Sequence, residues 1–363
     1  MENLVADMFE DIYRNKKVLL TGDTGFKGSW LRLWLTEIGA DVKGFSLAPN
    51  TSPSHFTLLS YGDQTIIADI RDADAINKVI KEYGPDIVFH LAAQPLVRQS
   101  YQKPLETFQT NIIGTVNLFE AVRNSKTVKA VVNITTDKVY KNSDAAKAFS
   151  EKDELGGHDP YSTSKACVEL VHESYVKSFF KEAGILAATA RAGNVIGGGD
   201  WAQDRLIPDI VKDAAEEKIS DIRYPQSVRP WQHVLDPLSG YLLLGKNLLQ
   251  KKDFATGTWN FGPSQEDCLP VSEVLNIFNK HWKNIAWNDV SDKKHLHESS
   301  FLQLDCTKAA TELQWMSTWN IQEAIEKTAT WYAAYYQNAT LLSKTQLKQY
   351  ITDAAAKNAA WIM

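Results

Sequence analysis

Short apolar segments alternate with longer amphipathic segments over roughly the first 190 residues, and this alternation restricts the possible folds more than any other feature of the chain. Each apolar segment spans five to eight residues and is nearly continuous, as in strands that are buried on both faces. The segments are Lys17–Thr21, Val42–Leu47, Thr65–Asp69, Ile87–Ala93, Lys129–Thr136 and Leu186–Arg191. Because helices that join parallel strands form right-handed crossovers, the pattern predicts an α/β fold with a doubly wound parallel sheet.

A glycine-rich turn follows the first of these strands. Its glycines, Gly22, Gly25 and Gly28, are spaced i, i+3 and i+6 between a strand and a helix. Gly22 permits a tight bend, Gly25 lets backbone N–H groups approach a pyrophosphate, and Gly28 allows the helix to pack closely on the strand. The helix N-terminus near Phe26 adds partial positive charge. The turn therefore predicts a Rossmann-type dinucleotide site.

The regular alternation of strands and helices ends near Asn194. Up to that point, helical periodicity predicts long helices over Leu105–Ser125 and Pro160–Ala183; beyond it, glycines and prolines break the chain into short pieces. We expect a dinucleotide-binding domain over residues 1–195 and a smaller C-terminal α/β lobe that binds substrate over 196–345. Part of that lobe, about 229–262, is expected to return to the large sheet. Residues 346–363 are expected to form a peripheral tail helix.

The ends of the later strands supply the other expected cofactor contacts. Ser46 closes the second strand, where an NAD site usually carries an acidic residue, and no arginine marks a site for the 2′-phosphate of NADP. NAD is the expected cofactor and NADP stays open. Further cofactor-binding residues are expected just beyond strand ends and at one helix start: Asp69, Ile70, Leu91, Ala92, Ala93 and Thr110.

Tyr161 and Lys165 lie one helical turn apart on one face of the second long helix. A free tyrosine has a pKa of about 10 and is a poor base at neutral pH. A nearby ammonium stabilises the phenolate and lowers that pKa, so that the tyrosine can take a proton from a sugar hydroxyl while hydride leaves the same carbon. Both residues are also expected to touch the cofactor.

Composition excludes several classes of protein. The 39 Lys and Arg residues against 44 Asp and Glu leave a formal charge of −5, which disfavours binding to nucleic acid or to a membrane surface. No apolar run is long enough to span a membrane, and the N-terminus lacks a signal-peptide pattern. The three cysteines form no CxxC pair, and the histidines lack the spacing of metal ligands. We expect a cytoplasmic enzyme without a metal.

Several motifs resemble the extended short-chain dehydrogenase/reductase superfamily. They are TGDTGFKG, HLAAQP (His90–Pro95), TNIIGT (Thr110–Thr115), the ITTDK run and YSTSK. Within the superfamily, the segments Arg191–Ile210 and Arg229–Val234 resemble the CDP-glucose 4,6-dehydratases, and the likeness runs from about Lys16 to about Trp319. The resemblance implies NAD-dependent dehydration of CDP-glucose to CDP-4-keto-6-deoxyglucose, in the service of bacterial surface polysaccharides. The choice of cytosine rests on the resemblance alone.

The resemblance also assigns roles at the end of the fifth strand. It implies that Thr136 holds the sugar O4 beside Tyr161 and that Asp137 protonates the departing 6-hydroxyl. Lys138 replaces the glutamate of dTDP-glucose dehydratases. It is either the base that removes the C5 proton or a cation that stabilises the enolate. A solvated turn pair is the alternative interpretation of Asp137 and Lys138.

The expected contacts with the nucleotide-sugar lie in the C-terminal half, except for Gln94. They are Gln94, Asn194, Trp201, Arg205, Arg229, His233 and Glu298. Arginine suits a diphosphate because its planar guanidinium binds two oxygens at once, whereas Trp201 has a core role as its alternative. His90 is interpreted as a packed, hydrogen-bonded core residue. Asn111 is either a plain N-cap or a residue that lines the cofactor site through a water. The resemblance implies a homodimer, formed by the helix of Tyr161 and the helix after Asn111.

Two other functions are compatible with the motifs. A nucleotide-sugar 4-epimerase, or a dehydratase for another nucleotide-glucose, would use the same turn and the same Tyr161–Lys165 pair. An epimerase releases no hydroxyl, so Asp137 favours dehydration. A non-catalytic dinucleotide sensor is disfavoured by the intact set of Thr136, Tyr161 and Lys165.

Overall fold

A seven-stranded parallel sheet forms the centre of the protein. The computed structural model describes residues 8–142, 147–282, 285–291 and 302–362. The strands within these ranges are β1 (Lys17–Thr21), β2 (Asp41–Ser46), β3 (Thr65–Ile67), β4 (Ile87–His90), β5 (Ala130–Ile134), β6 (Ala148–Phe149), β7 (Leu186–Ala192), β8 (Asn194–Ile196), β9 (Ile219–Ile222), β10 (Val228–His233), β11 (Gly257–Phe261), β12 (Cys268–Pro270), β13 (Ala286–Asp289) and β14 (Gln303–Leu304). The order in the large sheet is β11-β7-β5-β4-β1-β2-β3. The predicted doubly wound Rossmann-type sheet is confirmed.

Helices cover both faces of this sheet. The helices of the described ranges are α1 (Phe26–Glu37), α2 (His55–Leu58), α3 (Ala73–Tyr83), α4 (Val97–Gln102), α5 (Pro104–Phe108), α6 (Gly114–Arg123), α7 (Pro160–Tyr175), α8 (Leu206–Ala215), α9 (Leu235–Leu249), α10 (Val271–His281), α11 (Thr307–Glu312), α12 (Ile321–Asn338) and α13 (Ser343–Ala356). None of the helices that the structure describes is long and apolar enough to cross a membrane.

The six predicted strands all lie in the large sheet, but β3, β4 and β5 are shorter than expected. The predicted Ile87–Ala93 strand ends at His90, since the next three residues leave the sheet at its carboxyl edge. The helix predicted over Leu105–Ser125 is divided into α5, a π-helical turn at Gln109–Ile113, and α6. Helix α7 begins at Pro160, where the Asp159 carboxylate accepts a hydrogen bond from Ser162 N at 3.0 Å.

The segment 229–262 divides between two sheets. Strand β11 joins the large sheet beside β7, and α9 packs beneath β5 and β7. Strand β10 instead pairs with β8 and β12 in a three-stranded sheet of the C-terminal half. The expected return to the large sheet is thus confirmed for β11 and wrong for β10. The boundary at 195–196 stays a prediction.

The C-terminal helix α13 is part of the core. Leu347, Tyr350, Ile351 and Ala354 are buried at helical spacing, and the tail residue Trp361 stacks on Phe9 with ring centroids 5.4 Å apart. The prediction of a peripheral helix is therefore wrong, because its polar composition hides a narrow apolar stripe that packs against α1.

Helix α13 is fixed to α9 by a buried carboxyl group. The Tyr350 hydroxyl donates to Asp236 Oδ1 at 2.8 Å, and Thr318 N donates to the same oxygen at 2.6 Å. Burial raises the pKa of Asp236 to about 7, and the hydrogen bonds from Tyr350 and Thr318 oppose that rise. This contact joins residues 114 positions apart in the chain.

We expect Tyr350→Phe to lower the free energy of unfolding by about 1–3 kcal/mol, since Asp236 loses a donor that water cannot replace in the core. Urea unfolding measures the change. Lys348→Ala, at an exposed position of the same helix, is the control and should change stability by less than about 0.5 kcal/mol. Equal stability of Tyr350→Phe and wild type would show that the hydrogen bond does not hold the tail.

Candidate active site

The three glycines of the turn meet two different structural requirements. Gly22 has a φ of 76°, and a Cβ there would lie 2.6 Å from Ala92 N. A Cβ on Gly28 would lie 2.1 Å from Gly22 O, so both glycines are required by the packing of the protein itself. Gly25 is different: it is exposed, and a Cβ there would meet only Gly22 O, at 3.4 Å. Its small size leaves space above the N-terminus of α1, which fits a dinucleotide pyrophosphate.

A chain of hydrogen bonds holds the loop after β4 against this turn. Thr21 Oγ1 accepts from Leu91 N and Ala92 N, both at 3.2 Å, and pairs with His90 Nδ1 at 2.7 Å. His90 Nε2 lies 3.0 Å from the Thr115 hydroxyl. The structural interpretation of His90 is confirmed. The predicted cofactor residues Leu91, Ala92 and Ala93 are partly exposed beside the glycine turn.

The predicted adenosine contacts have partners of their own. The Ser46 hydroxyl is 2.7 Å from Thr24 Oγ1, and Asp69 accepts hydrogen bonds from the Arg71 guanidinium at 2.5–3.0 Å. Ile70 is buried against Gly114, and Thr110 is partly exposed in the π-helical turn. These four residues border the expected cofactor site. Their side chains form no arrangement that distinguishes NAD from NADP.

A buried ion pair under the glycine turn was missed by sequence reasoning. The Asp23 carboxylate pairs with Arg32 of α1 and accepts a hydrogen bond from the Thr65 hydroxyl at 2.6 Å. Gly44 in β2 makes room for it, because a Cβ there would overlap the carboxylate at 2.0 Å. The sequence feature that could have indicated this ion pair is the acidic residue inside the glycine turn. The pair couples the turn to α1 and to β3.

Tyr161 and Lys165 converge with Thr136 at the carboxyl end of β5. Burial raises the pKa of Tyr161 to about 12, while a hydrogen bond with Thr136 opposes the rise. Lys165 Nζ donates to Ile134 O at 3.2 Å. Burial also lowers the pKa of Lys165 to about 8, with Glu169 opposing. The phenol therefore depends on added positive charge to become a base.

Asp137 lies in the same group and is buried. Thr136 Oγ1 donates to Asp137 Oδ1 at 3.0 Å, and a Cβ on Gly193 would come within 2.9 Å of Asp137 Oδ2. Burial raises the pKa of Asp137, whereas Lys138, the Thr136 hydrogen bond, Lys27 and Arg229 oppose the rise. A raised pKa favours the protonated form, as a proton donor requires. Lys138 is only partly buried.

A second buried ion pair supports these residues from behind. Glu169, one turn after Lys165, accepts from Arg191 Nε at 2.9 Å and from the Thr135 and Thr189 hydroxyls at 2.5 and 2.7 Å. Arg191 Nη1 also donates to the Tyr140 hydroxyl at 2.7 Å. Sequence reasoning did not identify this pair, although Glu169 follows Lys165 at i+4 on the helix.

The predicted substrate-binding residues fall into two groups. Arg205 and Arg229 are partly exposed and close enough to Tyr161 and Asp137, respectively, to act on them electrostatically, and Asn194 is partly exposed at the start of β8. Arg205 also pairs with Asp200 at 3.1 Å. The structure brings these three residues to the side of the catalytic group.

Three other predicted contacts are engaged in packing or hydrogen bonds within the protein. His233 is fully buried between the rings of Trp30 and Trp319, and Trp201 packs among aromatic side chains of α12. Gln94 has both ends of its amide bonded to its own loop and to Thr107. The predicted substrate contacts of His233, Trp201 and Gln94 are thus corrected to packing roles. The sequence shows that these side chains can bind a ligand, but it does not show the residues from elsewhere in the chain that contact them. Glu298 lies outside the described residues.

The fold and this arrangement define a Rossmann-type dinucleotide-binding protein with a Tyr–Lys pair at the carboxyl edge of its sheet. Residues 19–328 match the family model described as GDP-mannose 4,6 dehydratase, and the chain belongs to that family. It is similar to a CDP-glucose 4,6-dehydratase from Salmonella typhimurium, with 44% identity over 94% of this chain and 98% of the relative.

Solved structures show the same fold. The epimerase Mth375 from Methanothermobacter thermautotrophicus superimposes with a TM-score of 0.78 at 23% identity, over 94% of this chain and 98% of that one. A UDP-glucose-4-epimerase from Stenotrophomonas maltophila, with bound NAD and formylated UDP-arabinopyranose, gives a TM-score of 0.76 at 25% identity, over 88% and 98% of the two chains.

The two glycines should respond oppositely to the same added methyl group. We expect Gly28→Ala to lower the free energy of unfolding by about 1–3 kcal/mol or more through overpacking against Gly22 O. Gly25→Ala should keep wild-type stability but lose most of its bound dinucleotide. Thermal unfolding and the dinucleotide content of the purified protein measure the two effects. A Gly25→Ala protein with full dinucleotide content would contradict the placement of the pyrophosphate above α1.

Proposed function

We propose that the protein is a hydro-lyase that converts CDP-glucose to CDP-4-keto-6-deoxyglucose with NAD that is regenerated in each turnover. The observation that carries this proposal is the placement of a buried, hydrogen-bonded Asp137 beside Thr136 and Tyr161. The 44% identity to a CDP-glucose 4,6-dehydratase supports both the reaction and the nucleotide. The partly exposed cations Lys138, Arg205 and Arg229 suit a substrate that carries a diphosphate.

The first task of these residues is to remove the proton from the sugar 4-hydroxyl. Bound NAD supplies the hydride acceptor at C4 and later the hydride donor at C6. Tyr161 takes the hydroxyl proton, Thr136 orients the oxygen through its own hydroxyl, and Lys165 supplies the positive charge that makes the phenolate accessible. The Ile134 carbonyl holds the Lys165 ammonium in place.

The second task is elimination of water across C5 and C6. Once C4 is a ketone, its neighbouring C5 proton is acidic, and loss of that proton gives an enolate. Asp137, whose pKa is raised by burial, donates its proton to the departing 6-hydroxyl. Lys138 accepts the C5 proton or stabilises the enolate with its charge. These two roles differ in whether Lys138→Ala still exchanges the C5 proton with solvent.

The alternative functions differ in what they require of Asp137. A nucleotide-sugar 4-epimerase must only oxidise and reduce C4, so a buried acid beside the sugar C6 would serve no step. Relatives include dTDP-glucose 4,6-dehydratases at about a quarter identity and a UDP-glucose 4-epimerase at 25%. Asp137 favours dehydration over epimerisation, and the higher identity to the CDP-glucose enzyme favours CDP-glucose over dTDP-glucose.

Isotope transfer tests the reaction. We expect CDP-glucose deuterated at C4 to yield a product with deuterium in its new methyl group, because the hydride removed from C4 returns to C6. Mass spectrometry and proton NMR of the product locate the label. Deuterium retained at C4 of an inverted sugar would establish epimerisation instead. Competition among CDP-, UDP-, dTDP- and GDP-glucose in the same assay identifies the preferred base.

In the same assay, Asp137→Asn should slow dehydration by about 10²- to 10⁴-fold, as expected for loss of a general acid. Oxidation at C4 should continue, so reduced nicotinamide should accumulate on the enzyme. Asp63→Asn, which changes an exposed carboxylate between α2 and β3, is the matched control. Wild-type turnover by Asp137→Asn would overturn the assigned role.

We further infer that the protein is a homodimer and that its product enters surface-polysaccharide synthesis. Leu105, Ile113 and Leu170, on α5, the π-helical turn and α7, are 69%, 50% and 57% exposed. These elements pack together in one chain, and apolar residues so exposed suit contact with a second copy. The residues Val168, Val171 and Tyr175 of the same helix face the core instead.

Light scattering tests the dimer. We expect the wild type to have the mass of two chains and Leu170→Glu to shift the population to single chains at micromolar concentration. Phe254→Glu, at an apolar position that is 49% exposed elsewhere, should leave the mass unchanged. A wild type that scatters as one chain would contradict the inference.

A further inference from the structure

Lys27 lies at the meeting point of the cofactor turn and the C-terminal half, and no role has been given to it above. It is the second residue of α1, two positions after Gly25, and it is partly buried. Within the described ranges its ammonium makes no hydrogen bond and no ion pair. Three other buried or partly buried cations of the catalytic group have a hydrogen-bond or ion-pair partner. Lys165 donates to Ile134 O, Arg205 pairs with Asp200, and Arg229 donates to Val228 O.

The charges around Lys27 do not neutralise it. Arg205 and Lys165 lie close enough to disfavour its charge, while Asp137 and Asp200, which favour its charge, already have partners of their own. Asp200 is paired with Arg205, and Asp137 accepts from Thr136. Burial, followed by Arg205, lowers the pKa of Lys27 to about 8. An ammonium in such surroundings is costly unless an anion binds beside it.

The loop that follows β8 closes over this position. A Cβ on Gly197 would lie 3.2 Å from the Phe26 ring, so the loop backbone packs directly on the first turn of α1. Further along the same loop, Asp204 pairs with Arg98 of α4 at 2.8 Å. The first turn of α1, which carries Lys27, and the loop that carries Arg205 therefore lie against each other.

We propose that the Lys27 ammonium binds a phosphate oxygen of a bound nucleotide at this junction. The diphosphate of the cofactor and that of the nucleotide-sugar both have this chemistry, and only the second source rests on the proposed function. Lys27 adds a charged side-chain ligand to the backbone donors of the glycine turn. Its positive charge also balances the negative charge of the phosphate at the point where the cofactor and the nucleotide-sugar approach each other.

Three variants test this: Lys27→Met, Lys27→Arg, and Lys348→Met as a control that removes one exposed positive charge on α13. Calorimetry on the dinucleotide-loaded proteins measures binding of CDP, cytidine and inorganic diphosphate. The dinucleotide content of each protein as purified measures the cofactor. If Lys27 binds the substrate phosphate, Lys27→Met weakens CDP and diphosphate at least tenfold and leaves cytidine unchanged. If it binds the cofactor phosphate, Lys27→Met is purified with less dinucleotide.

Lys27→Arg should retain binding within about threefold, since it keeps the charge. The proposal is overturned if Lys27→Met matches the Lys348→Met control in dinucleotide content and in binding of CDP and diphosphate. It is also overturned if CDP and cytidine weaken equally, because the loss would then not involve phosphate. If the wild type binds diphosphate but neither CDP nor cytidine, the proposed substrate is contradicted. The effect of Lys27→Met on diphosphate binding then still decides the role of Lys27.

Discussion

The buried ion pair between Glu169 and Arg191 is the interaction on which the catalytic region depends. It joins α7, which carries Tyr161 and Lys165, to β7, and it reaches the end of β5 through the Thr135 hydroxyl. Both side chains are 3% exposed. Breaking such a pair leaves an uncompensated charge in the core and costs about 3–5 kcal/mol. Through Tyr140 and Asn260, the same network extends to β11 and to the short β6–β14 sheet.

Close approach of backbone to backbone is the second constraint, and it explains why the cofactor turn and the catalytic strand end face each other. Gly22 lets β1 lie against the loop after β4, and Gly28 lets α1 lie against the turn. Gly193 similarly leaves room for the Asp137 carboxylate. At each of these positions an added methyl group would come too close to neighbouring protein atoms, so the close approach requires glycine.

Sequence reasoning succeeded where the signal is local. The strands follow from apolar runs, and the glycine turn and the Tyr161–Lys165 pair follow from fixed spacings within one or two helical turns. It failed at residues whose surroundings come from elsewhere in the chain. His233 and Trp201 are chemically suited to a ligand, yet Trp30, Trp319 and the aromatic residues of α12 surround them. The tail helix was misjudged because its stripe of Leu347, Tyr350 and Ile351 is narrow and interrupted by polar residues.

The sequence by itself determined the fold class and the glycine turn, and it predicted the Tyr161–Lys165 pair, because periodicity and short-range spacing are properties of the chain itself. Only the tertiary structure decided which charges are paired. The structure pairs Asp23 with Thr65 and Asp236 with Tyr350, and it leaves Lys27 without a partner in the described ranges. No local sequence pattern indicates these arrangements. Burial then assigns each group its protonation, since the cost of a charge depends on the partners and water around it rather than on its neighbours in sequence.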